Sequence, residues 1–356
     1  MSVPTRTVPV PASVVLVADR VERRLAATLD REIERWGALD DDLVLPLREL
    51  RRFVIDSGKR LRPAFCYWGF VGSGGDPDDD AVVEAGAAFE LLQAFALIHD
   101  DVMDGSAMRR GARTVHLQFA DGHDRSAWRG EPRRFGEGVA ILIGDLAHVY
   151  ADRFMHGAPA RVLALWNELR IELNVGQYLD VLGTARSDTD LTRARRIARY
   201  KSGKYTIERP LHVGAALAGR YDDLHEQLSA FGDPLGEAFQ LRDDLLGAFG
   251  EEAVTGKPVG DDLREGKPTP LLAIANERAT LDQRTTLALV GTSALTAGDI
   301  AAIQTVLVDT GAVNAVEATI DRLTAEAIAA IETTPITADA SRALVELAQY
   351  VAWRDR

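Results

Sequence analysis

The chain has 356 residues, is 46% apolar and carries a formal net charge of −13. That charge argues against generic nucleic-acid binding, which needs a basic footprint, but leaves room for a locally basic pocket holding an anionic substrate. One cysteine, Cys66, rules out an internal disulfide framework and fits a reducing compartment.

Helix formers recur throughout and alternating Val/Ile/Thr runs are nearly absent, so the chain reads as all-α. Length alone points to two domains. No run reaches the roughly 20 apolar residues of a spanning helix. The apolar stretch Val8 to Ala18 is short, is broken by Pro9 and Pro11, and lacks a small-residue cleavage pattern. The expectation is a cytoplasmic protein with residues 1–13 flexible and no stable membrane insertion.

Val14 to Trp36 reads as a first amphipathic helix, and Leu43 to Ser57 as a second closed by Gly58. There the chain turns basic, through Lys59, Arg60, Leu61, Arg62 and Pro63. This is either a solvated turn or a loop made rigid by its Gly start and Pro end, suited to a phosphate. Gly72 to Asp80 is a plain loop.

From about Ala81 an apolar helix runs to Asp100, Asp101 and Asp104, and Gly105 ends it. Asp100 and Asp104 lie one turn apart on one face, and Asp101 and Asp104 form an i,i+3 pair. Like charges this close are costly unless a positive group sits between them, and a hard divalent cation would serve. A solvated helix end is the alternative reading. Against it stand the apolar approach and a second carboxylate group later in the chain. Arg109 and Arg110 follow within reach of any anion bound there.

Asp121 to Gly138, polar and rich in Gly and Arg, reads as a mobile loop. Helices resume over Val139 to Phe154 and Arg161 to Leu182. Gln177 and Asp180 are i,i+3 partners that either face the site or form an exposed polar pair. Asp190 to Ala218 is helical, carries Tyr200-Lys201-Ser202-Gly203-Lys204, and is kinked at Pro210. The second constellation is Gln240, Asp243, Asp244 and Gly247, with Gln240 one turn before Asp243 and on its face. Two Gly-Lys corners follow, at Lys257 and Lys267. From Leu271 onward the pattern is amphipathic helix without motifs, assigned to structure.

These motifs, in this order over residues 58–268, resemble those of the trans-isoprenyl diphosphate synthases, the polyprenyl synthetase family. The resemblance implies one large helical bundle around a central cavity, 1–356 as a single domain, a homodimer, and about three Mg²⁺ per active site. It implies a prenyltransferase that condenses isopentenyl diphosphate with an allylic diphosphate by ionisation, condensation and elimination. Carried over residue by residue, it puts isopentenyl diphosphate on Lys59, Arg62, Gln93 and Arg110. Many members have His where this chain has Gln93. The allylic diphosphate would be held through Mg²⁺ by Asp100, Asp104 and Asp243, with Asp101 and Asp244 beside them. Arg109, Lys201, Ser202, Gln240, Lys257 and Lys267 would contact it directly.

One departure stands out: Gly247 replaces the last Asp of the second motif. The expectation is a surviving site with looser surroundings, in which Gly247→Asp changes activity little. A class I terpene cyclase is disfavoured because no N-x-x-[ST]-x-x-x-[DE] motif is present; Asn167 and Asn174 lack the required hydroxyl. A non-catalytic partner subunit is disfavoured because such chains usually lose the aspartates or arginines. In helical projection at about 100° per residue, Gln93 lies within roughly 20° of Asp100, while Leu92, Phe95 and Ala96 fan to one side. One aromatic, Phe95, beside a small Ala96 resembles the pattern of members making geranylgeranyl diphosphate (C20). Farnesyl or longer polyprenyl products are the alternatives; separately, Phe95 could merely pack in the core with the floor deeper, at Phe89.

Overall fold

The computed structural model describes residues 9–56, 58–250, 258–292 and 295–354. Almost all of its regular structure is α-helix, as the composition leads one to expect. Helix α1 (Ala12–Gly37) and α2 (Val44–Ile55) form an antiparallel pair joined through a short 3₁₀ turn. Next come α3 (Leu61–Gly72) and α4 (Asp80–Asp104). Gly105, in the left-handed region with φ 66°, caps α4 where the sequence stops it.

Helix α4 is the axis of the molecule. Its middle is apolar on every side, and Ala87, Ala88, Phe89, Leu91 and Leu92 are fully enclosed. A helix apolar all round must be buried on all sides. Here α1, α2, α3 and α6 (Pro132–Phe154) surround it. Among the described residues α4 alone is long and apolar enough to cross a membrane, and most of it lies inside the protein.

Past Gly105 a two-residue hairpin, β1 (Met108–Arg109) with β2 (Ala112–Arg113), turns the chain back. The segment expected as a mobile loop is instead helical over most of its length: α5 (Val115–Arg125) continues into a short turn and then α6. Polar composition misleads here because half of each helix is buried. Val115, His116, Ala120 and His123 face inward at helical spacing, and His123 packs on Phe135 with ring centroids 5.1 Å apart.

Helix α7 (Ala160–Ala185) leads to α8 (Leu191–Ala198), a π-helical segment Arg199–Glu208, and α9 (Arg209–Leu217). Pro210 is in the first turn of α9, but the π-helical segment runs into α9 without a break and Arg209 N–H bonds back to the Lys204 carbonyl. The missing N–H of Pro210 therefore removes a bond to the turn before it, and that turn is where the helix is distorted. Pro63 is likewise inside the first turn of α3, and the basic loop ends at Arg60, not at the proline.

Helix α10 (Tyr221–Phe249) carries the second acidic motif. Then follow α11 (Asp261–Glu265), α12 (Pro270–Arg278), α13 (Leu281–Leu287), α14 (Ala297–Asp309), α15 (Ala312–Thr333) and α16 (Ala338–Trp353). Helix α15 packs along α10, and α16 reaches back to α3 and α10.

Candidate active site

The two acidic motifs come from the C-terminal end of α4 and the last third of α10, and buried lysines stand between them. Asp100 accepts from Lys201 Nζ at 2.9 Å, from Gln177 Nε2 at 3.0 Å and from Arg109 at 3.3 Å. Arg109 also donates to Asp101 at 2.8 and 2.5 Å. Lys267 Nζ lies 3.1 Å from Asp104 and 2.7 Å from Glu265. Gln177 and Asp180 thus face the site: Lys201 Nζ is 2.5 Å from Asp180 Oδ2.

Local structure places Lys201. The π-helical segment pushes its backbone against α7 at Gly176, where a Cβ would lie only 2.4 Å from Lys201 N. π-Bulges of this kind cost stability and are frequent at functional sites. Ser202 follows, partly buried.

The electrostatics are divided between the carboxylates. Burial opposes ionisation of Asp100, but Lys201, Lys267 and Arg109 hold it well below the usual carboxylate range. Asp104 is different: burial, reinforced by Asp100 and Glu265, pushes it up to about 6 despite Lys267. Burial also raises Asp244 well above its ordinary value, and Asp262, Asp243 and Asp180 add to that. Both lysines stay charged against burial, Lys201 through Asp100 and Asp180, Lys267 through Asp262 and Glu265.

In the second motif, Gln240, expected on the face of Asp243, donates through Nε2 to Asp244 at 2.7 Å, the i+4 position. Asp243 instead meets Arg354, a buried guanidinium just beyond α16 that also stacks 4.3 Å over Phe239. Nothing in the local sequence singled out Arg354; only the fold brings it there. And Gly247 does not leave an open place. A Cβ there would lie 1.8 Å from Asp262 Oδ2, so the carboxylate of Asp262 in α11 fills that volume.

The basic loop and Arg110 meet α4 lower down. Arg62 donates to Thr206 Oγ1 at 2.8 Å and lies 4.3 Å over the Tyr205 ring. Arg110 lies 5.6 Å over Phe53. A small cleft is lined by Phe53, Arg60, Glu90, Gln93 and Arg110. Lys59 is partly buried on the same loop. Lys257 lies outside the described residues. Of the residues expected to set product length, Phe95 and Ala96 are partly exposed, whereas Leu92 is enclosed in the core with no free face.

Sequence comparison decides the family. The polyprenyl synthetase family model matches residues 46–307. The chain belongs to the polyprenyl synthetase family. Among relatives of this family, the geranylfarnesyl diphosphate synthase of Aeropyrum pernix is 32% identical over 269 residues, 73% of this chain and 78% of that one. The geranylgeranyl diphosphate synthase of Mycobacterium tuberculosis is 36% identical over 250 residues, 68% of this chain and 66% of that one. A crystal structure of the geranylgeranyl pyrophosphate synthase of Corynebacterium glutamicum, complexed with isoprenyl diphosphate and magnesium, superposes with a TM-score of 0.88. It is 37% identical and covers 98% of this chain and 100% of its own.

The donor set fits magnesium. A hard divalent ion takes oxygen ligands, typically a few carboxylates with substrate phosphates. This site offers aspartates from both motifs, and Asp244 Oδ2 is buried with no hydrogen-bond partner among the described residues.

Proposed function

We propose that this polyprenyl synthetase is a trans-prenyltransferase that joins isopentenyl diphosphate head to tail to an allylic diphosphate, with geranylgeranyl diphosphate (C20) as product. One observation carries this reading most of the way. Two acidic motifs flank a pair of buried lysines, and Arg110 stands apart from them beside Gln93, which supports separate sites for two diphosphates.

Breaking the allylic C–O bond sends its electron pair out with the diphosphate and leaves an allylic carbocation. Lys201, Lys267 and Arg109 face the place of the leaving diphosphate and would neutralise its growing charge, the kind of preorganised electrostatic help that dominates many enzymes. Magnesium bound among Asp100, Asp104 and Asp243, about three ions, would add charge neutralisation there. Lys59, Arg62, Gln93 and Arg110 would hold the isopentenyl diphosphate so that its double bond meets the cation. A proton then leaves the new chain for the released diphosphate. Phe95, Ala96 and the apolar faces near them would keep water from the cation.

The same reading takes the described helices as one domain and the enzyme as a homodimer. Exposed apolar side chains support a dimer: Leu142 and Val149 on α6, and Ile171, Val175 and Tyr178 on α7, are 47–66% exposed. Stripes of this kind mark contact surfaces.

The test is incubation of purified protein with isopentenyl diphosphate, Mg²⁺ and each allylic starter, followed by chain-length analysis. Asp100→Ala and Asp243→Ala should each abolish turnover with the fold intact. Near-normal turnover by either variant would sink the assignment.

A further inference from the structure

Among the buried acids that the mechanism above does not use is Glu90. It lies on the apolar middle of α4, 6% exposed, about 15 Å below Asp100 at 1.5 Å per residue. A carboxylate there would repel the diphosphate expected beside Gln93, one turn away on the same helix. The structure answers that repulsion with Arg60, itself 3% exposed and held at φ 50° as the residue before α3.

Arg60 is fully engaged by protein groups. It pairs with Glu90, donates to Glu22 at 2.9 Å, and donates to the Val54 and Ile55 carbonyls at 2.8 and 3.1 Å. The last two are unsatisfied ends of α2. One buried pair therefore ties together α2, α4 and the basic loop before α3. Those elements carry Phe53, Gln93 and Lys59, and Arg62 follows in the first turn of α3. Arg110 completes the cleft from the hairpin side. Burial lowers its pKa to about 10, and Glu90 is the acid that counters this, while Arg109, Arg60 and Arg62 work with burial.

We propose that Glu90 is a positioning residue for the isopentenyl diphosphate subsite: paired with Arg60, it fixes the basic loop against α4. It touches no substrate. Arg60 is then the arginine of the basic loop that does not bind phosphate, and Arg62 and Arg110 are the ones that do. This rests on the prenyltransferase reading.

The test separates the two substrates. In purified Glu90→Gln, which keeps the shape and removes the charge, the KM for isopentenyl diphosphate should rise at least tenfold. The KM for the allylic diphosphate should stay within about twofold, and kcat within about threefold. An unchanged isopentenyl KM, with or without a lower Tm, or equal rises in both KM values, would overturn the proposal. If Glu90→Gln is insoluble, Glu90→Asp withdraws the same carboxylate by one methylene and should raise only the isopentenyl KM, by threefold or more; an unchanged value there overturns it equally. Absence of prenyl transfer by the wild-type enzyme would instead strike the functional reading itself.

Discussion

Gly247 and Asp262 occupy one volume: a Cβ on Gly247 would stand 1.8 Å from Asp262 Oδ2 and 2.4 Å from its Cγ. The glycine in the second acidic motif is therefore matched by a carboxylate from α11. Gly247→Asp should force Asp262 out of place and set two carboxylates where one fits. Its kcat/KM should fall more than tenfold, about 1.4 kcal/mol in the transition state. Gly247→Asp/Asp262→Ala should recover part of that loss. Activity of the single variant within tenfold of wild type would show that the site absorbs the extra group.

The contrast with the sequence reading is instructive. Asp100, Asp104 and Lys201 were legible because each sits in a short motif whose spacing already implies shared geometry. Gly247 looked like a defect because its partner lies beyond the local window, on another helix. Arg354 was invisible for the same reason: it lies beyond α16, in a tail without motifs. Helix α5 was missed because its buried face includes His116 and His123, residues that periodicity arguments count as polar. The lysines of the π-helical segment were found, but their depth was not, since burial depends on Gly176 across the gap on α7.

A pH prediction comes from His212, well away from the acidic motifs. It is buried on α9, with its Nε2 3.1 Å from the His225 carbonyl and 3.2 Å from Ser229 Oγ. Burial holds its pKa down to about 4, Arg209 and Lys204 add to this, and Glu208 and the His225 carbonyl oppose it. The unfolded chain, with His near 6.5, takes up a proton first as pH falls. This contribution to stability is therefore present above about pH 6.5 and lost as pH drops towards 4. His212→Gln should be less stable than wild type at pH 7.5, and the gap should narrow by on the order of 2 kcal/mol by pH 4.5. Urea unfolding at both pH values measures it. A gap that stays constant would refute the titration of His212.

The apolar stripes on α6 and α7 lead to a prediction about assembly. Tyr178 and Ile171 are 66% and 58% exposed on α7, and the proposed dimer would cover them. Light scattering should give the wild type about twice the 38.7 kDa chain mass. Tyr178→Glu with Ile171→Glu should give a folded monomer, because two charges buried at an apolar contact are costly. A wild-type monomer at micromolar concentration would remove the dimer.

The last prediction concerns chain length. Phe95 is held on two sides by histidines: it stacks on His148 of α6 at 4.7 Å and 20°, and meets His99 edge-on at 4.7 Å and 62°. A ring fixed in this way can act as a floor, since it cannot swing aside to let a longer chain pass. Ala96, next to it and partly exposed, leaves room that a second aromatic would take. Ala96→Phe should therefore shorten the main product towards C15. Phe95→Ala should lengthen it past C20, because the ring that ends the space would be gone. Phe89 is the competing floor, but it is fully enclosed and packs edge-on against Trp166 at 5.5 Å. If Phe89 set the length, Phe95→Ala would leave the product unchanged and Phe89→Ala would lengthen it, at a folding cost of about 3–5 kcal/mol. Product analysis of the three variants beside wild type separates the two floors. A wild-type product of C15 or beyond C25, or no shift in either Phe95→Ala or Ala96→Phe, would place the floor elsewhere.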